Sequence, residues 1–94
     1  MEVKEAVALA RQYLQEVFAE EKIVDLGLEE VEYDDVQHLW SITLGFSRPW
    51  DYDKRGSVAE MLGGGASKKR EYKVVKIDNT NKRPIAIRNR EPAV

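Results

Sequence analysis

The stretch His38-Leu39-Trp40-Ser41-Ile42-Thr43-Leu44-Gly45-Phe46 decides the fold. Its even positions, Trp40, Ile42, Leu44 and Phe46, are large and apolar. From Ser41 on, its odd positions, Ser41, Thr43 and Gly45, are small or polar. Alternation with a period of two marks a strand with one buried and one wet face. It is the most hydrophobic strand in the chain, so it is placed at the centre of a sheet whose apolar side needs a cover.

The segment before it supplies that cover. Residues 3–21 predict an amphipathic helix, because Val3, Ala6, Val7, Ala10, Leu14, Val17 and Phe18 recur at three- and four-residue steps, with Tyr13 bordering the stripe. Glu2 and Glu5 sit in the first turn, where the helix dipole favours negative charge. Residues 22–27 are expected to turn the chain, with Gly27 as pivot. Residues 28–36 then read as a strand with Val31 and Tyr33 on one face. The acids Glu29, Glu30, Glu32, Asp34 and Asp35 suit an edge strand that resists foreign pairing. Asp34-Asp35 is turn chemistry leading into the central strand, residues 38–47.

Beyond the central strand, residues 70–78 read as a third strand and residues 84–88 as a fourth. Ile85 and Ile87 are expected to face inward, and Pro84 opens the fourth strand, where proline is tolerated. The polar run Asp78-Asn79-Thr80-Asn81-Lys82-Arg83 joins them as a turn. The expected architecture is an α+β single domain over residues 1–94. One N-terminal helix packs across a four-stranded antiparallel meander, with a long loop, residues 48–69, between strands 2 and 3.

Composition bounds the function. A hydrophobic fraction of 43% with only three prolines describes a chain that folds. No apolar run approaches the roughly 20 residues that span a bilayer. The first residues lack the basic and apolar regions of a secretory signal, so a cytoplasmic location is expected. There is no cysteine, which excludes disulfides and thiolate metal sites. Through Asp35 the chain carries 11 acids and 3 bases, a net of −8; from Val36 on, 6 acids and 12 bases give +6, and the sum is the overall −2. Such a split indicates either a basic binding face or acidic and basic elements that neighbour each other in the fold.

Catalytic chemistry finds little support. The lone His38 is close in sequence to Asp34 and Asp35, but a strand-end histidine is more often a hydrogen-bonded structural group than an acid–base catalyst. The adjacent pairs Glu29/Glu30 and Asp34/Asp35 would point to opposite faces of a strand and could not converge. Asp51, Asp53 and Gly56 are spaced like the start of a calcium loop, yet Arg55 stands at a ligand position and Leu62 replaces the closing glutamate. The Gly63-Gly64-Gly65 run lacks the spacing of a phosphate-binding loop. No cofactor or metal is expected, and the chain reads as non-catalytic.

The long connection is the place for function, since loops of this length are commonly functional. Arg48, Trp50, Tyr52 and Arg55 interleave aromatics and cations, the residue types of binding hot spots. Trp50 and Tyr52 either extend the core or anchor a partner. Ser57 to Gly63 has capping-box spacing for one helical turn, on which Met61 and Leu62 would form an apolar ledge. The binding residues predicted for a protein or peptide partner are therefore Arg48, Trp50, Tyr52, Arg55, Met61 and Leu62. The alternative is a nucleic-acid module using the basic strip Lys68, Lys69, Arg70, Lys73 and Lys76. The overall pI of about 5.4 argues against that alternative. A third reading is a homodimer formed through an exposed sheet edge.

The order of helix and strands, with Tyr72-Lys73-Val74-Val75-Lys76-Ile77-Asp78, a polar turn and Pro84-Ile85-Ala86-Ile87, resembles the PepSY-like and cystatin-like small domains. Small bacterial immunity proteins of cystatin-like shape offer a similar resemblance. The chain departs from the pattern in first residues that do not read as an export signal, in a final turn without glycine, and in the long segment 47–69. The resemblance implies a module that binds peptides or restrains a peptidase.

Overall fold

The computed structural model describes residues 1–48 and 70–90. Helix α1, Val3–Val17, is followed by a 3₁₀ turn at Ala19–Glu21 and by strands β1 (Val24–Asp34), β2 (Leu39–Ser47), β3 (Glu71–Asp78) and β4 (Arg83–Asn89). The strands form one antiparallel sheet in the order β1-β2-β3-β4, with α1 on one face. This is the expected α+β meander.

The even positions of β2 build the core as expected, but from residue 42 on the odd positions are buried too, Thr43 at 3% and Ser47 at 1% exposure, so this half of the strand has no wet face. Ile42, Leu44 and Phe46 are fully buried beside Val75 and Ile77 of β3, and Ala6, Ala10 and Leu14 of α1 close the cluster. The two alanines keep the helix slim where it crosses the sheet, so the larger β2 side chains can fill the interface. Trp40 is half-buried at the far end. Its ring packs on Tyr33 at 4.7 Å, and its Nε1 donates to Asn79 Oδ1 at 3.0 Å. An indole in this position hides its apolar body while its N–H finds a partner.

The bounds and facing of several elements differ from expectation. First, the helix stops at Val17, not at residue 21. Phe18 leaves α-helical geometry, its N–H reaching both Leu14 O and Glu16 O, and its ring packs 6.0 Å from that of Phe46. Lys22 then reverses the chain in the left-handed region, φ 51°. Second, residues 24–27 are strand rather than turn, and Gly27 pairs with Gly45 inside the sheet. Register shifts between Val24 and Gly27 and between Leu28 and Glu30 let the strand absorb extra residues, with Asp25 at φ 55°. Third, Ile85 faces away from the core and is exposed. Lys76 pairs with Ala86 and Ile77 with Pro84, so Ile85 is the additional residue of a bulge while Ile87 still packs inward.

The two short turns use their acids as caps. Asp34 Oδ1 accepts from the backbone N–H of Val36 (2.9 Å) and Gln37 (3.1 Å). Asp78 accepts from Thr80 N (2.9 Å) and from Asn81 Nδ2 (2.7 Å), while Lys82 N donates to Asp78 O (2.8 Å). His38 lies in the first turn at φ 58° rather than in the strand; its carbonyl accepts from Asn79 N at 2.9 Å and links the two turns.

Candidate functional site

The face of the sheet away from α1 has no helix or strand packed on it among the described residues. Its side chains follow directly from the pairing register. Four rows run across the strands: Asp34–Leu39–Asp78–Arg83, Glu32–Ser41–Lys76–Ala86, Glu30–Thr43–Val74–Arg88, and Gly27–Gly45–Tyr72. Arg90 extends the last row, its N–H donating to Tyr72 O at 3.3 Å and its guanidinium lying 5.5 Å from the Tyr72 ring centre.

At one end this face is closed by its own side chains. Arg70 crosses Gly45 and Gly27, donates through Nη1 to Asp25 O (3.1 Å), and stands 3.8 Å from the Glu29 carboxylate. At Gly45 a Cβ would lie 2.8 Å from Arg70 Nη2 and 2.9 Å from Tyr72 Cε1, so both side chains would have to shift to admit one. The bulge also corrects the reading of Glu29/Glu30 as acids on opposite faces. Glu29 reaches the space above Gly45, on the same side as Glu30.

At the other end the face is open and concave. A furrow of about 340 Å³ lies between the acids of β1 and Lys76, with Glu32, Asp34, Asp35 and Ser41 in its wall. A second furrow, of about 350 Å³, continues it toward β4 and is lined by Ile85, Ala86 and Arg88. Gln37, Leu39 and Lys76 line both, so the two form one trough. Lys76 stands in the middle and donates to Ser41 Oγ at 2.7 Å. One wall is acidic, the other basic, and the floor offers Leu39, Ala86 and the exposed Ile85. The exposed Val36 projects from the neighbouring turn. A further apolar groove of about 370 Å³ lies between α1 and β1, where Val3 and Val7 extend past the sheet toward Leu28.

Of the residues expected from sequence to bind a protein partner, only Arg48 is among the described residues. Trp50, Tyr52, Arg55, Met61, Leu62, Lys68 and Lys69 lie outside the described residues. Arg48 does not face solvent: it is 8% exposed, and its guanidinium lies against the rings of Phe18 and Phe46. It bridges Glu21 (Nη2 to Oε1, 2.6 Å; Nε to Oε1, 2.7 Å) and Glu71, tying the 3₁₀ turn to the start of β3. The strip Arg70–Lys76 is divided by the pleat. Arg70 and Lys76 lie on the helix-free face. Lys73 lies on the other, donating to Asn89 Oδ1 and standing 5.8 Å from the Phe18 ring.

His38 is exposed, with its Nδ1 3.3 Å from the Tyr33 hydroxyl. Asp34 Oδ1 accepts from the turn backbone, and among the described residues His38 has no contact with the carboxylate of Asp34 or Asp35. Sequence reasoning missed Glu32, Leu39, Ile85 and Arg88 as trough residues. The period-two pattern could have found Glu32 and Leu39, whereas the bulge hides Ile85. Among the described residues, no helix is long and apolar enough to cross a membrane, and no group of three His, Asp or Glu side chains is placed to hold a metal ion. Comparisons with protein families, curated proteins and solved structures return no match.

Proposed function

We propose that the protein is a non-catalytic module that binds a protein or peptide segment in the trough on the helix-free face of its sheet. One observation carries this reading: the two furrows that share Gln37, Leu39 and Lys76. A continuous concavity with an apolar floor and walls of opposite charge suits an extended segment. An apolar side chain of that segment would sit over Leu39, Ala86 and Ile85. A basic one would face Glu32 and Asp35, and an acidic one Lys76 and Arg88. The segment 49–69 joins Arg48 to Arg70, at the end of the sheet away from the trough, and its Trp50, Tyr52, Arg55, Met61 and Leu62 are proposed as a second contact with the same partner. Nucleic acid fits less well, because acids line half of the trough and the basic strip is split between two faces.

The test is selection of random dodecapeptides displayed on phage against the immobilised protein, followed by affinity measurement with the synthetic winners. Peptides that bind the wild type and lose at least tenfold in affinity to Lys76→Glu/Ile85→Glu support the trough. Loss only with Trp50→Ala/Tyr52→Ala moves the contact to the connection. Binding of a single-stranded dodecanucleotide that weakens steeply with salt, with no peptide enriched, replaces the reading with the nucleic-acid one.

A further inference from the structure

The charge asymmetry of the chain becomes geometry in the sheet. Strand β1 carries Asp25, Glu29, Glu30, Glu32 and Asp34 and no base; β4 carries Arg83 and Arg88, followed by Arg90, and no acid. Between them, β2 has no charged side chain at all. The acidic and basic segments are thus the two outer edges of one open sheet, rather than neighbours. Glu30, Glu32, Arg83 and Arg88 form no ion pair among the described residues. Two of the rows run from acid to base across the full width: Asp34 to Arg83, and Glu30 to Arg88.

We propose that these edges dock on each other between copies of this chain, β4 of one copy beside β1 of the next. Because the strands alternate in direction, β1 of a translated copy runs antiparallel to β4, which continues the ladder in its own pattern. An in-register copy brings Arg83 beside Asp34 and Arg88 beside Glu30. Outward-pointing N–H and C=O groups of both edges gain partners in the same step. The symmetric alternatives are opposed: β1 on β1 sets acids against acids, and β4 on β4 sets arginines against arginines. Pro84 and the bulge at Ile85 restrict pairing on β4 to its second half, so the contact is small and weak. A head-to-tail contact leaves a free β1 edge and a free β4 edge after each addition, so the copies form a series, open or closed into a ring, rather than a two-fold dimer. This concerns the edges and goes beyond the trough, whose failure would leave it standing.

Sedimentation velocity on the full chain tests it, at concentrations up to about 1 mM and at low and high salt, where screening weakens charge contacts. The wild type is expected to rise in average mass beyond a dimer with concentration, and to fall back toward the monomer in high salt. Arg88→Glu/Arg90→Glu sets acids on the pairing half of β4 against the acids of β1, and Glu30→Lys/Glu32→Lys sets bases at the facing positions of β1 against Arg88 and Arg90. Each should remain a monomer alone with the wild-type circular dichroism spectrum, and an equimolar mixture should regain the wild-type mass. A wild type that stays monomeric, a series that stops at a dimer, or a mixture that fails to reassociate overturns the proposal.

Discussion

Replacing Arg48 by alanine should destabilise the domain by about 2–4 kcal/mol. The magnitude comes from where the guanidinium sits. Its side chain is 10% exposed, while the side chains of Glu21 and Glu71 are each 41% exposed. Removing one partner of a fully buried ion pair costs about 3–5 kcal/mol, whereas an exposed pair is worth about 0–1 kcal/mol. Carboxylates that keep part of their hydration fall between, at about 1 kcal/mol for each pair. Loss of the contacts to Phe18 and Phe46, at 6.0 and 5.3 Å, together with the aliphatic stem, adds about 1 kcal/mol. For a domain of this size each kcal/mol moves Tm by about 4–8 °C, so the expected drop is about 10–25 °C. Urea denaturation measures it directly. Arg48→Met, which keeps the stem, should recover about 1 kcal/mol, and a double-mutant cycle with Glu21→Gln should show a coupling of about 1 kcal/mol. An Arg48→Ala protein within about 0.5 kcal/mol of the wild type, with an unchanged slope in urea, would refute the placement of Arg48 as the tie between the 3₁₀ turn and β3.

Three other outcomes follow from single positions. Gly45→Ala should cost about 1–3 kcal/mol in urea denaturation, because its Cβ would press on Arg70 and Tyr72, whereas Gly27→Ala, whose Cβ would meet Arg70 Nη2 at 3.7 Å, should be near neutral or gain about 0.5 kcal/mol. Lys22→Gly should raise stability by about 0.5–1 kcal/mol, since Lys22 occupies the left-handed region at φ 51°; a decrease in Tm would count against that backbone conformation. The Asp78 carboxyl is held below its ordinary pKa, chiefly by the Asn81 side chain and then by the Thr80 N–H. A lowered folded-state pKa contributes stability above the unfolded value of about 4 that disappears as pH falls through the folded one. Asp78→Ala should therefore be destabilising at neutral pH, with the difference from wild type shrinking in strong acid; a difference independent of pH would contradict the cap.

Much of the fold was legible because its main signal is local. The alternation Trp40, Ile42, Leu44, Phe46 identifies β2, its buried face and, through its hydrophobicity, its central position. The stripe Ala6, Ala10, Leu14 supplies the cover. What was not legible depends on inserted residues and on distant partners. A bulge changes which face a residue meets without changing composition, so Ile85 and Glu29 read as ordinary alternation while the structure turns both toward the helix-free face. Arg48 follows a strand and precedes an aromatic loop, a context that suits a binding residue. Only the approach of Glu21 and Glu71, far away in sequence, draws it inside. The charge split was visible as a number, and the order β1-β2-β3-β4 turns it into two opposed edges.

The most direct measurement of the central claim is an amide chemical-shift titration of the ¹⁵N-labelled protein with a phage-selected peptide. The account expects the largest changes at Gln37, Leu39, Ser41, Lys76, Ala86 and Arg88, with those of α1 small. Changes confined to α1 and the Val3–Val7–Leu28 groove, with the trough residues unmoved, would contradict it.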